Sequence, residues 1–342
     1  MGWLSSSWQY RRAITVDNTS NPNTLSNYQV LVILDTASLI SAGKMQSTGA
    51  DIRFTDSDGL TSLSYWIESG INTSSTRIWV KVPNIPGSST KTIYLYYGNP
   101  SASPASNGAN TWLFFENWEG SRSANWVDGG GFTSADWEYA TPGLQDCCRL
   151  HFKTGRSGSE WDNMWWKGQT FSNFRFIALV RADYSDDDSA IYFRSNGTET
   201  GTTRNLNNGY IAKLPRAGDQ NFYLIKSVSG NITTLASYSA VNTSDTVRFE
   251  VLAFGPSIQV KIERPRGTYL TTLSATDTSF SSGYIGLGAP EWNSSRNPSF
   301  DMFCVGNYSS PDPSISVSTI EETLILGFTY RAEWIDFVER KL

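Results

Sequence analysis

Carboxylates, one histidine and a surplus of aromatic rings are the side chains in this sequence able to carry chemistry. Hydrolysis of a glycosidic bond normally needs two carboxylates flanking the scissile bond. The chain offers Glu116-Asn-Trp-Glu119 and the acidic run Asp183, Asp186-Asp-Asp188. A spacing of three sends Glu116 and Glu119 to opposite faces of a strand, and the aspartates lie in a stretch that reads as a solvated turn. His151 is the only histidine, so any Ser-His-Asp or Cys-His triad must use it, and no Gly-x-Ser-x-Gly elbow accompanies it. The same scarcity, with no Cys-x-x-Cys pair, removes zinc sites of ordinary spacing. No catalytic residue is assigned.

Binding chemistry is better supplied. Sugars present apolar ring faces and many hydroxyls, so a site for them combines stacked aromatics with a few polar groups. Alternation along Ala190 to Arg194 turns Tyr192 and Arg194 to one face and Ile191 and Phe193 to the other. Tyr210 and Arg181 join the first face, with Trp165 and Trp166 at its rim. Core and edge packing is the competing explanation for the same rings.

The elements that would position these groups are strands. Six short runs rich in β-branched and aromatic residues are Trp8 to Val16, Tyr28 to Leu34, Asp51 to Thr55, Leu63 to Glu68, Arg77 to Val82 and Thr92 to Tyr97. Turn residues such as Asp56-Ser-Asp-Gly59 separate them, and Ala37 to Ser47 reads as a short helix or crossover. The small, Pro-punctuated stretch Gly98 to Asn110 is a domain boundary. A second series follows, clearest at Phe174 to Val180, Ala190 to Arg194, Tyr210 to Leu214, Phe222 to Val228, Val247 to Ala253, Ile258 to Glu263, Tyr284 to Leu287 and Phe300 to Val305. The expectation is all-β: a β-sandwich over 1–105, a jelly roll over 112–309, and a linker with docking segment over 310–342. In that last part a strand is expected at Thr323 to Tyr330. A helix is expected at Arg331 to Leu342, with Trp334, Phe337, Val338 and Leu342 on one face.

Composition limits the partners. The 342 residues carry a net charge of -5, which argues against nucleic acid. No window is apolar enough to span a membrane as a helix, and Met1 to Ser7 has neither the basic nor the apolar part of a secretory leader. Charged residues are 17% against 39% hydrophobic and 13% aromatic, so the polar load falls on Ser, Thr, Asn and Gly, which suit turns and solvated strand faces.

Two sets of motifs carry resemblances. Trp8-Gln-Tyr-Arg-Arg12, Gly49-Ala-Asp51-Ile-Arg-Phe54, Tyr65-Trp-Ile-Glu68, Ile78-Trp-Val-Lys-Val82 and Ile93-Tyr-Leu-Tyr-Tyr-Gly98-Asn-Pro100 resemble an uncharacterised β-sandwich domain of archaeal and bacterial surface proteins and some viral structural proteins. The likeness spans roughly residues 3 to 105. Phe114-Phe-Glu-Asn-Trp118-Glu-Gly120, Gly283-Tyr-Ile-Gly-Leu-Gly288 and Phe300-Asp-Met-Phe-Cys-Val305 look like a concanavalin A-like lectin/glucanase domain over about 112 to 308. The first resemblance implies a cell-surface or virion location; the second implies glycan binding more often than hydrolysis.

In such jelly rolls the first and last strands lie side by side, which makes Glu119 and Asp301 a candidate pair for a structural calcium. It also lets Cys304 reach Cys148 or Cys147 in a disulfide, three buried thiols being the alternative. No cofactor is required. The expected function is non-enzymatic recognition or adhesion through glycan or cell-surface polysaccharide, with other subunits docking on the C-terminal segment. A purely structural virion or filament component is the alternative, and a glycoside hydrolase the third.

Overall fold

The computed structural model describes residues 2–119, 121–129, 137–141, 143–144, 149–152, 162–181, 189–199, 206–214, 221–239, 246–264, 268–289 and 298–324. The first domain comprises β1 (Tyr10–Asp17), β2 (Leu25–Leu34), α1 (Thr36–Ser41), β3 (Arg53–Thr55), β4 (Ser62–Leu63), β5 (Tyr65–Ser69), β6 (Thr76–Ile85) and β7 (Thr90–Tyr97). Asp35 caps α1 by accepting from the Ser38 N–H. Alternating Ile14, Val16, Val30, Val32, Ile78, Val80, Ile93 and Leu95 fill the space between its two sheets.

After α2 (Gly108–Thr111), the second domain runs β8 (Phe114–Glu116), β9 (Trp126–Asp128), β10 (Trp137–Ala140), β11 (Arg149–Phe152), β12 (Asp162–Phe171), β13 (Phe174–Arg181), β14 (Ala190–Ser195) and β15 (Gly209–Lys213). It continues through β16 (Asn221–Val228), β17 (Asn231–Ser239), β18 (Val247–Phe254), β19 (Ser257–Arg264), β20 (Thr268–Thr276), β21 (Gly283–Ala289) and β22 (Ser299–Asn307). An eight-stranded sheet (β10-β11-β22-β13-β18-β19-β20, with β8 also on β22) faces a seven-stranded one (β17-β16-β15-β14-β21-β12-β9). Phe176, Ala178, Phe249 and Val251 of the first meet Ile191, Phe193, Ala212 and Leu224 of the second. The first and last strands are neighbours, with Phe114 opposite Val305.

The final strand, β23 (Ser314–Thr323), returns to the first domain and pairs antiparallel with β1. It completes the five-stranded sheet β23-β1-β7-β3-β4, opposite the three-stranded sheet β2-β6-β5. The second domain is therefore inserted into the first. Most of the expected strand at Thr323 to Tyr330 lies outside the described residues, and most of the linker expected before it is ladder. Its sequence hid this: in Ser-Ile-Ser-Val-Ser-Thr-Ile-Glu-Glu-Thr only Ile315 and Val317 pack on the core. Charges do the rest. Arg11, held between the Trp3 and Tyr94 rings at 4.7 and 4.6 Å, bonds Glu322 at 2.7 Å. Glu321 accepts from Tyr97 Oη at 2.6 Å and from Lys44 Nζ at 2.5 Å. The expected helix at Arg331 to Leu342 lies outside the described residues.

The domains are welded. Alternation turns Trp79 of β6 away from Ile78 and Val80, and Ile177 and Leu179 of β13 away from Phe176 and Ala178, so the outer faces of two sheets meet. Trp79, Trp112, Ile177, Leu179, Met302 and Cys304 form the apolar part of that contact. Beside it lies a buried ionic cluster. Arg248 donates to Glu68 (2.7 Å), Glu250 (3.0 Å) and Glu263 (3.2 Å), and Trp79 Nε1 donates to Glu68 at 2.5 Å. Arg175 binds Glu250 at 2.7 Å and also Asp312, whose other oxygen accepts from Tyr28 Oη at 2.6 Å. Burial alone would raise the Glu68 and Glu250 carboxyls, but the adjacent Arg248 guanidinium, with Arg77 for Glu68 and Arg175 for Glu250, holds both below the usual carboxylate range.

Candidate functional site

The seven-stranded sheet has a core face and an outer face of different character. On the outer face, alternation presents Asn163 and Trp165 from β12, Tyr192 from β14, Ile211 from β15 and Ile225 from β16. Gly286 and Gly288 of β21 lie opposite Trp165 and Asn163. A Cβ on Gly286 would stand 2.7 Å from the Trp165 ring, and one on Gly288 would stand 1.8 Å from the Tyr192 hydroxyl. The Gly-x-Gly spacing thus makes a floor for two large rings. Trp165 and Tyr192 stack there, centroids 6.3 Å apart and planes at 28°.

A polar chain runs from the rings. Tyr192 Oη donates to Asn163 Oδ1 at 2.6 Å, and Asn163 Nδ2 donates to Glu199 Oε2 at 2.9 Å. The Asn163 carbonyl accepts from the Gly129 N–H at 2.8 Å, which fixes the strand edge beside it. Glu199 is bridged to Leu206, which lies on the same apolar layer. The centre of the layer is closed, Tyr192 being 0% and Trp165 2% exposed, yet Trp165 Nε1 has no hydrogen-bond acceptor among the described residues. Its margin is half-buried: Lys167, Glu199, Lys213 and Tyr223. Lys167 Nζ sits 5.9 Å from the Trp165 centroid and Lys213 Nζ 5.7 Å from that of Tyr223. Aromatic faces, an amide, a carboxylate and two ammonium groups make a set suited to a hydroxyl-rich ligand.

Of the six residues expected to share a face, Trp165 and Tyr192 do. Tyr210 does not: the register sets it opposite Phe193, so it points into the core, stacked on that ring at 5.5 Å and donating to Asp277 at 2.7 Å. Burial and the bond to Asp277 both raise its phenol. Trp166 also lies on the core side, against Phe114 at 4.1 Å, with its Nε1 on the Ala124 carbonyl. Arg181 ends β13, in the opposite sheet, across from Ser299. Arg194 lies within the irregularity between Tyr192 and Ser195 and takes φ 46°, which breaks the alternation that grouped it with Tyr192. Its buried guanidinium, its pKa lowered by desolvation, donates to the Ser172 and Phe280 carbonyls and pegs two loops together.

Asp301 is fully buried, its two oxygens accepting from the Met302 N–H (2.7 Å) and Leu144 N–H (3.0 Å), whereas Glu119 is exposed. No group of three or more His, Cys, Asp or Glu forms a cation cage among the described residues. The acid organised in this corner is Glu116, which accepts from the Ser123 N–H, Ser123 Oγ and Trp126 Nε1. Cys304 is buried in the domain contact, while Cys147, Cys148 and the Asp183 to Asp188 run lie outside the described residues. Asn163 and Glu199 escaped the sequence reading. The signal for them was Gly286-x-Gly288, at the end of the strand expected over Tyr284 to Leu287, since glycines at alternate positions announce a face where something bulky approaches.

The family model described as a domain of unknown function (DUF2341) matches residues 48–129. That stretch overlaps the motifs between Gly49 and Pro100 and runs on into the second domain. Solved structures resembling the chain include the carbohydrate binding module CBM66 from Bacillus subtilis, at 14% identity and TM-score 0.38 over 54% of this chain and 96% of that one. A Lotus tetragonolobus seed lectin matches at 11% identity and TM-score 0.41, over 60% and 99%. A Bacteroides ovatus mixed-linkage glucan GH16 in complex with its product matches at 11% and 0.42, over 56% and 99%. At such identities residue roles do not transfer. A search of curated proteins found no match.

Proposed function

We propose that the second domain recognises a glycan without catalysis and that the first domain displays it on a cell or particle surface. The half-buried margin of Lys167, Glu199, Lys213 and Tyr223, set around the closed Trp165–Tyr192 stack and its Asn163 bond, supports this most directly. Tyr223 offers a ring to a sugar's apolar face, and the carboxylate and ammonium groups beside it suit hydroxyls. Glu199 is bonded into this layer through Asn163, and hydrolysis would call for a second carboxylate across the scissile bond. The surface-protein resemblance of residues 3 to 105 supports the location. A glycan array probed with wild type, Glu199→Gln and Trp165→Phe tests the proposal. Binding to at least one glycan class, weakened tenfold or more by either substitution, is expected. Absence of binding across the array, or turnover on a polysaccharide panel, would contradict it.

A second reading, a structural subunit of a larger assembly, draws on the outer strands. Ile232 of β17, Tyr269 of β20 and Ile320 of β23 are more than half exposed, a feature that assembly contacts would use. Analytical ultracentrifugation decides: a monomer at the highest attainable concentration would remove it.

A further inference from the structure

Where the domains meet, the ionic cluster borders an open cleft of about 370 Å³, within the ordinary range for small-ligand pockets, roughly 300–1,000 Å³. Its walls differ. One is apolar, formed by Leu31 and Ile33 of β2 with Ile315 of β23, and Ile33 is 46% exposed at its lip. The other carries Arg77, Arg175 and Lys261.

The acids and the bases around this cleft are not equally engaged. Glu250 gives one oxygen to Arg175 and one to Arg248, Asp312 gives one to Tyr28 and one to Arg175, and Glu263 accepts from Arg248. The cations keep donors in reserve. Arg77 Nε lies 3.3 Å from Glu68 and its Nη1 3.7 Å from Glu263, close enough for ion pairing, yet Nε is buried with no hydrogen bond because the contact is off-line. Lys261 lines the cleft and makes no ion pair or hydrogen bond among the described residues, acting on Glu250 only through its charge. Arg175 engages Nε and one Nη, its guanidinium lying 5.0 Å from the Trp79 ring.

We infer that the cleft binds a sugar-sized ligand carrying a carboxylate or sulfate, the anionic group on Lys261 and Arg77 and the ring against Leu31, Ile33 and Ile315. Anions take charge-assisted hydrogen bonds from such donors, and the opposite wall suits an apolar ring face. Arg77, Arg175, Arg248 and Lys261 balance Glu68, Glu250, Glu263 and Asp312, so no long-range field gathers anions here. Selection rests on the uncommitted donors, and the affinity is correspondingly modest. This site is separate from the outer face of the seven-stranded sheet.

Isothermal titration of the full chain with methyl glucuronide, methyl glucoside and glucose 6-sulfate tests the inference. Both anionic sugars should bind at least tenfold tighter than the neutral one. Lys261→Gln should weaken them about tenfold and Lys261→Glu should abolish binding, each with a melting temperature close to that of wild type. Equal binding of charged and neutral sugars would overturn the inference. So would anion binding that survives both Lys261 substitutions.

Discussion

The domain contact and the outer sheet face are both buried, polar and aromatic, but they are built on opposite principles. At the contact, guanidinium groups from β13 and β18 meet carboxylates from β5, β18, β19 and the 308–313 loop, and nearly every acceptor is taken. On the sheet face the groups are neutral or singly charged, seated by two missing side chains, and one indole N–H is left without an acceptor. A network of charges whose acceptors are taken specifies one arrangement of two domains. A layer on a rigid sheet with one indole N–H open among the described residues keeps a donor for something else.

The largest effect expected comes from removing β23. A chain ending at Ser310 exposes the β1 edge and loses the Glu321 and Glu322 clasp. The first domain should be destabilised by roughly 5 kcal/mol or more, beyond ordinary single substitutions, and should become protease-sensitive while the second domain still melts cooperatively. Unchanged calorimetry would mean that β23 is not part of the first domain.

Next in size is the ionic cluster. Glu68→Ala strands Arg248 and should cost about 3–5 kcal/mol in denaturant unfolding, whereas Glu68→Leu with Arg248→Met should recover most of it. A double substitution as damaging as the single one would show that the charges are worth more than their shape. The contact should also be acid-labile. Glu68 and Glu250 titrate lower when folded than unfolded, so their contribution is complete above the unfolded carboxyl range near pH 4.3. It is lost progressively as pH falls below that range towards their depressed folded values. Unfolding midpoints measured from pH 7 to pH 2 should decline in that window, and less steeply in the Leu/Met pair.

The smallest effect belongs to the sheet face. Gly288→Ala forces the Tyr192 hydroxyl aside and should cost about 1–3 kcal/mol, as overpacking does, while loosening the Tyr192–Asn163 bond. Stability equal to wild type, with binding unchanged, would mean the glycine floor is incidental.

Much of this architecture was legible in the sequence. Strands such as β13, β14 and β18 alternate or run apolar because both their faces are covered, and they fall where β-branched and aromatic residues cluster. What escaped was polar. β17 is an outer strand with Asn, Thr and Ser exposed along its length, and β23 is stabilised by partners some three hundred residues away, so neither shows a local hydrophobic period. The site was half legible for a related reason. Period-2 alternation placed Tyr192 correctly, but it cannot foresee the irregularity at Arg194 or the register that turns Tyr210 inward. Arg248 and Glu68 meet only because two sheets touch across 180 residues of sequence.

Glycan binding through the outer face of the seven-stranded sheet is tested most directly by measuring wild type and Glu199→Gln side by side on one immobilised glycan array, with thermal unfolding of both as control. Wild-type binding to a defined glycan class, at least tenfold weaker in Glu199→Gln at unchanged melting temperature, is the predicted result. Binding that is identical in the two proteins, or absent from both, would contradict it.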